Sequence, residues 1–296
     1  MNWFLSLARV TVCASLILIP AVWVPAAEAA GRTCAQGLTE ELPRRQKTAR
    51  SGSEVMREVL NLSGTARDAF VASEVFAGNV PDFLRDLTPV TLSGQGSDGQ
   101  AIQITICVTP EYLSVGNDED YVRVPLGLSN AARIADRLGF FLPTTKMVDA
   151  IYQQAQVQLA PSPMKPTNQM SSTDYLLRHS HTVDAMRAQA SRPEGQLTAG
   201  QKKDLVLSTR LRRAPGRVAI YGWHRKNGRP IQPLSTVHGA EYADYSHGVR
   251  LISQTAFING EPRLLADIMQ DRALAGIVSS EGPISNPAQL MASLYR

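Results

Sequence analysis

An uncharged apolar stretch, Val10–Val24, stands near the start of the chain and decides which residues are left to fold. One cation, Arg9, precedes it. A small-residue segment, Pro25-Ala26-Ala27-Glu28-Ala29-Ala30, follows it, with Ala27 and Ala29 in an A-x-A arrangement. This is the order of a secretory signal peptide, with cleavage expected after Ala29. The apolar run, about 15 residues, falls short of the roughly 20 that span a bilayer, and Pro20 and Pro25 interrupt it. The sequence therefore predicts a signal peptide over 1–29 and a secreted or periplasmic protein of about 267 residues, with no transmembrane segment after cleavage.

Those residues must fold in an oxidising compartment. Cys34 and Cys107 survive cleavage, and the sequence leaves open whether they pair or remain free thiols. Two cysteines are no disulfide framework, so a packed core has to hold the chain. Its 44% hydrophobic and 19% charged residues are sufficient for one. Charge divides unevenly. Residues 31–159 hold 12 Lys and Arg against 15 Asp and Glu, whereas 160–296 hold 17 against 10. Much of the excess falls between Lys202 and Arg229. A basic face outside the cytoplasm suits an anionic glycan, an envelope polymer or lipid headgroups, and the compartment argues against nucleic acid. A solvated basic surface explains the same excess.

Periodicity gives an α+β fold. Residues 31–52 read as a polar lead-in. Helical patterning begins with Ser53 as N-cap, resumes over Thr65–Phe76 and stops at Gly78-Asn79. Alternating β-branched residues then form a hairpin, Pro89–Leu92 with Ala101–Val108, across a Gly/Ser/Asp-rich turn. Two helices follow, Ser129–Leu138 and one capped by Thr144 that runs to about Gln156. The stretch Ala160–Thr173 contains three prolines and coincides with the change of charge. It predicts a linker between an N-terminal half (30–159) and a C-terminal half (174–296). The C-terminal half reads as a helix over Asp174–Ala190. Short strands follow at Leu205–Ser208, Val218–His224, Ile231–Leu234, Val249–Gln254 and Thr255–Asn259, then a final helix, Leu264–Leu274. Helices and antiparallel-type strands in blocks argue against a parallel α/β sheet.

All five histidines lie in the second half. His224, His238 and His247 share a window with Asp244 and Arg250, among Tyr221, Trp223, Tyr242 and Ser246. Such a density of polar groups in loops and at strand ends is natural for a site and costly in a core. Two chemistries fit. His224, His238, Asp244 and His247 could supply ligands to a zinc ion and its attacking water. Without metal, His247 would be a general base oriented by Asp244, and Arg250 would hold a carboxylate or an oxyanion. Other signals are plainer. Asn117–Asp120 reads as an acidic turn rather than a calcium loop, and Lys202-Lys203-Asp204 as a charged strand start. His179 and His181, two apart, cannot share a helix face and are expected on the surface. Tyr221 and Trp223 are expected to point together into the core.

The segment His238-Gly239 followed by Ser246-His247-Gly248-Val249-Arg250-Leu251 resembles the catalytic motif of the L,D-transpeptidases, HG, a spacer and SHGC(V/I)R(L/M). It covers about 14 residues. The resemblance implies His247 as base, His238 as the upstream histidine and Arg250 as the motif arginine. The nucleophilic cysteine between the glycine and the V/I-R pair is absent, and the spacer is about half the usual length. Cysteine transpeptidase chemistry is therefore not expected. A weaker similarity links Gly222-Trp223-His224 and His238…Asp244 to the zinc D,D-peptidases of the cell wall, with the order reversed and one spacing a residue short. Both imply a peptidoglycan context. The expectation is an exported hydrolase of an extracytoplasmic polymer, with peptidoglycan or its peptides foremost. The alternative is a non-catalytic envelope protein that binds an anionic glycan or partner through its basic half. The exported protein should begin at or near Ala30. N-terminal sequencing of extracytoplasmic material checks this, and recovery of an intact Met1–Ala30 segment in membranes would contradict it.

Overall fold

The computed structural model describes Cys34 and residues 42–296; the expected signal peptide and most of the lead-in lie outside the described residues. Two helices, α1 (Gly52–Glu58) and α2 (Gly64–Phe76), lead through a 3-10 turn at Asp82–Arg85 into the hairpin β1 (Thr88–Gln95) and β2 (Ala101–Val108). A small hairpin, β3 (Ser114–Gly116) and β4 (Tyr121–Arg123), precedes α3 (Leu128–Arg137), β5 (Phe140–Phe141), α4 (Thr145–Gln154) and β6 (Val157–Gln158). Then come α5 (Thr173–Gln189), β7 (Thr198–Ala199), β8 (Lys203–Leu205), α6 (Arg210–Arg213), β9 (Ile220–His224) and β10 (Pro230–Ser235). The chain closes with β11 (His247–Gly248), β12 (Ile252–Ile258), β13 (Glu261–Leu264), α7 (Leu265–Gln270), α8 (Ala275–Val278) and α9 (Pro287–Ser293). The fold is mixed α+β with mainly antiparallel sheets, as the periodicity predicts. Among the described residues no helix is long and apolar enough to cross a membrane.

Local chemistry sets the element ends. Ser51 caps α1 in place of Ser53, because Ser51 and Glu54 form a reciprocal capping box. Ser53 instead donates through N–H and Oγ to Asp120 Oδ1, at 3.0 and 2.9 Å. Asn117 Oδ1 accepts from the N–H groups of Glu119 and Asp120, and Asp118 accepts from Phe83 N–H, so the acidic turn is a self-satisfied connection. Thr144 caps α4 by accepting from Met147 N–H.

The larger sheet runs β1-β2-β12-β13, with β5 also paired to β12. Strand β2 is buried on both faces from Ile104 to Val108, and its backbone groups there are paired by a neighbour on each edge. One is its hairpin partner β1. The other is β12, registered Ile252↔Val108 and, past a bulge, Ala256↔Ile106. The boundary at 160–173 therefore does not separate two independently folded sheets; each half supplies strands to this one. The two strands expected at 249–254 and 255–259 are the single strand β12. Val249 and Leu251 lie before it in an irregular segment, where their carbonyls accept from Leu113 and Thr109 N–H. The proline-rich stretch is also more than a linker. Its Met164 and Met170 pack on a buried cluster of Tyr175, Leu176, Trp223 and Tyr245. Met164 N–H donates to Tyr245 Oη at 2.9 Å, and Tyr175 Oη donates to Lys165 O.

The second sheet, β10-β9-β8-β11, carries the candidate site. Its strand β8 begins at Lys203, two residues earlier than the predicted Leu205. It pairs antiparallel with β9 and parallel with β11, in the register Lys203↔His247 and Asp204↔Gly248.

Cys34 and Cys107 form a disulfide that ties the lead-in to β2 across a separation of 73 residues. Closing a loop of that length removes chain entropy from the unfolded state equivalent to about 4 kcal/mol. Reduction, or Cys107→Ala, should lower the urea midpoint by an amount of that order in ΔG. Equal midpoints for the oxidised and reduced protein would show that the bond contributes nothing.

Candidate functional site

Parallel pairing of β8 with β11 places Lys203 and His247 side by side on one face of the sheet, because paired residues of neighbouring strands point the same way. The opposite face at Gly248 has no room for a side chain. A Cβ there would stand 2.5 Å from the Tyr112 ring and 2.9 Å from Lys202 Cβ. Just before β11, Asp244 folds its turn around itself. Its Oδ1 accepts from Ser246 N–H at 2.8 Å and Ser246 Oγ at 2.5 Å, while its Oδ2 accepts from Tyr242 Oη at 3.2 Å. Aromatic rings complete the cluster. His238 stacks on Tyr242 with centroids 4.4 Å apart, and Tyr242 meets His247 edge-on at 5.7 Å. His238 and His247 lie 6.3 Å apart. His247 and Asp244 are buried, and half-buried His238, Tyr242 and Lys203 stand between them and solvent.

His247 is the anomaly of the site. Its ring is fully buried, yet among the described residues neither Nδ1 nor Nε2 has a hydrogen-bond partner. A buried polar group left so costs roughly 1–3 kcal/mol. Burial pushes the imidazole down to about 4. The Asp244 charge opposes that shift, and Lys203, His238 and Lys202 add to it. Burial acts to raise Asp244, but His247, the Ser246 hydroxyl and N–H, and Lys203 outweigh it and hold the carboxyl below its ordinary value. Lys203 is itself lowered by burial, and its ammonium sits 4.9 Å from the centre of the Trp223 ring. Trp223 adds a second orphan, for its buried indole N–H also lacks a partner among the described residues. Its backbone is strained as well, with φ of +57° directly after Gly222 at +107°.

The sequence-predicted residues do not all converge. His238, Asp244 and His247 do. His224 does not: its Nε2 meets Asp149 Oδ1 at 2.8 Å and its ring stacks on Tyr152 at 4.6 Å. Tyr221 Oη donates to the same Asp149 carboxylate. The positive φ at Gly222 and Trp223 breaks the strand's alternation, so Tyr221 and Trp223 enter different surroundings instead of pointing together. The four-residue metal set is therefore not assembled, and among the described residues no group of three or more His, Cys, Asp or Glu is arranged to hold a metal ion. Arg250 is also a correction. It is fully buried, donates from Nη1 to Thr109 O and from Nη2 to Thr198 O at 2.7 Å each, and lies over the Tyr112 ring. Its two bonded nitrogens serve the fold, and its buried Nε has no partner among the described residues.

Sequence reasoning missed Lys203 and the pair behind it, Lys202 and His179. The signal available was the Lys202-Lys203-Asp204 triplet, whose alternation sends the outer two to one face and Lys203 to the other. Buried Lys202 donates to Tyr245 O at 2.6 Å and meets His179 Nδ1 at 3.1 Å. Burial lowers Lys202 to about 7. His179, expected at the surface, is fully buried because α5 turns Tyr175, Leu176, His179, Val183 and Arg187 inward at helical spacing; His181 is exposed.

Compared with protein-family models, with curated proteins and with solved structures, the chain matches none.

The electrostatics give a pH dependence with a defined sign. Unfolded, His247 takes a proton near pH 6.5; folded, it resists protonation to about 4. The stability tied to it is complete above about 6.5 and is lost as pH falls toward 4, by up to about 1.4 kcal/mol per pH unit. His179, pushed down to about 2 by burial and Lys202, acts in the same direction. Urea titrations at pH 7 and pH 5 should show a smaller loss for His247→Gln than for wild type. Equal losses would mean that the buried imidazole is already protonated in the folded protein.

Proposed function

We propose that this chain is an exported hydrolase of a cell-envelope polymer, with peptidoglycan or its peptides as substrate, and that His247 is its general base. One observation carries the reading. A fully buried imidazole with two unpartnered nitrogens lies beside a carboxylate, behind a half-open rim of His238, Tyr242 and Lys203. A neutral ring is the basic form, and its lowered proton affinity keeps it neutral at pH 7.

In the proposed reaction His247 takes a proton from a water molecule whose oxygen attacks a substrate carbonyl. The C–N bond then breaks, and the imidazolium returns the proton to the leaving amine. Asp244 stabilises the transient cation through its charge, since its oxygens are occupied by Ser246 and Tyr242. Lys203 takes the electrostatic role that the metal-free reading of the sequence gave Arg250, balancing the developing oxyanion. Ser246 Oγ donates to Asp244, whose carboxyl is held below its ordinary value and is too weak a base to activate a hydroxyl, so water activated by His247 is the better attacking group. The disulfide supports an oxidising compartment, in line with the expected signal peptide.

The test measures melting and hydrolysis of purified sacculi for three variants. His247→Gln and Lys203→Met should lose roughly a hundredfold or more in turnover while their stability changes by about 1–2 kcal/mol or less. Arg250→Met should instead lower the melting temperature, because it strips partners from two buried carbonyls. Activity should survive dialysis against a chelator; its loss and restoration by zinc would move the mechanism to a metal held by His238, Asp244 and His247. Wild-type protein that binds an envelope glycan and turns nothing over would replace the hydrolase with the binding protein.

A further inference from the structure

Beside the cluster lies a cleft of about 880 Å³ between α3, α6, the Gly239–Tyr242 turn and α9. Its volume falls within the range of sites that enclose small ligands. Leu211, Leu290 and Leu294 give it an apolar lining, while Arg212, Arg217 and Arg296 supply cationic side chains. Glu241 is the lone carboxylate lining it, and its Oε1 already accepts from Ser129 Oγ.

Two of the arginines are anchored without being neutralised. Arg212 Nη2 donates to Ser285 O, and Arg217 Nη1 donates to Val237 O at 2.6 Å. Each guanidinium has five N–H donors, so most remain for a ligand in a partly fixed orientation. Among the described residues neither is in a salt bridge. Both are exposed. Arg213 and the more distant basic residues between Lys202 and Arg229 do not line the cleft, so the feature is narrower than the general basicity of this half.

Tyr242 joins the cleft to the cluster. It lines the cleft, stacks on His238, meets His247 edge-on and donates to Asp244. A chain seated along the leucines would pass this ring on its way to His247. We propose that the cleft is a substrate subsite for an acidic peptide, with Arg212 and Arg217 binding its free carboxylates and the leucines receiving its small apolar side chains. The assignment rests on the hydrolase reading and names the part of the polymer that is read: the peptide carboxylates, not the glycan. Arginine forks take carboxylates and phosphates alike, so the choice of a peptide rests on the leucines, whose apolar lining suits peptide side chains and gives a sugar chain or a bare phosphate nothing further.

The test uses the full exported protein and a soluble wall tetrapeptide containing γ-linked glutamate, with its carboxylates either free or amidated. Dissociation constants are measured on His247→Gln, which should hold the peptide without cleaving it, and on the same protein carrying Arg212→Gln and Arg217→Gln. The free-acid peptide should bind about tenfold or more weakly to the triple variant, and the amidated peptide should bind both proteins equally. In the active protein the two arginine changes should raise KM by a similar factor and leave kcat nearly unchanged. Equal affinity for the free and amidated peptides in His247→Gln, or unaltered binding after loss of both arginines, would overturn the subsite. Preference for a glycerol-phosphate polymer over the peptide would also overturn it. Arginine-dependent peptide binding by a wild-type protein with no turnover would sink the hydrolase reading and keep the carboxylate subsite.

Discussion

Arg250 sits with no exposed surface between the end of β2 and the short strand β7, taking Thr109 O with one nitrogen and Thr198 O with another. Its guanidinium covers the Tyr112 ring at 4.3 Å, and Tyr112 in turn donates to Asp204 on β8 at 2.8 Å. Burial raises Asp204 to about 6 and raises the Tyr112 phenol too, so this layer holds its charge only because its members satisfy one another. The two sheets meet through this layer. Without it, the Asp244–Gly248 segment would lack a fixed backing, because β11 contributes only two residues of pairing.

A second buried network extends the first. Arg123 reaches Glu111 at 3.1 Å and Asp184 at 2.5 Å, and Gln201 donates to Glu111 at 2.7 Å. Beside it Lys202 holds the Tyr245 carbonyl, so the backbone of the candidate site is gripped from behind by a side chain on the neighbouring strand. Strand alternation then gives β8 two functions. Lys202 and Asp204 serve the buried layer, while Lys203 joins His247 and Asp244. A three-residue strand thus couples the packing of the molecule to the electrostatics of its cleft.

This explains what was legible in sequence. His238, Asp244 and His247 could be read because ten residues contain all three and local turns bring them together. Lys203 could not, since its relation to His247 rests on parallel pairing across a sequence separation of 44. Arg250 was misread because a motif specifies a residue type and not the direction of its side chain. His224 was misplaced because a shared sequence window does not fix direction: its ring turns to Asp149 and Tyr152, beyond the positive φ values at Gly222 and Trp223. The same distinction holds for the fold. The alternation of β2 announces a strand, but its pairing with β12 joins the two halves of the described chain, and nothing local encodes it.

The unpartnered imidazole remains the point at which stability and function part. An apolar side chain of similar shape at position 247 would avoid the desolvation cost and would suit the edge of Tyr242 equally well. In the backing layer Arg250 and Lys202 each make two hydrogen bonds and Asp204 takes the Tyr112 hydroxyl, although Arg250 Nε and the Nε2 of neighbouring His179 are themselves without a partner among the described residues. Two of the unpartnered side chains, His247 and Trp223, flank Lys203, one paired with it in register and the other beneath its ammonium. Among the described residues His247 is set apart in leaving two atoms of one buried side chain without a partner. On the hydrolase reading proposed above, a substrate that brings a water to the imidazole would remove that cost, so the binding energy gained at the reacting centre would be the energy the fold gives up there.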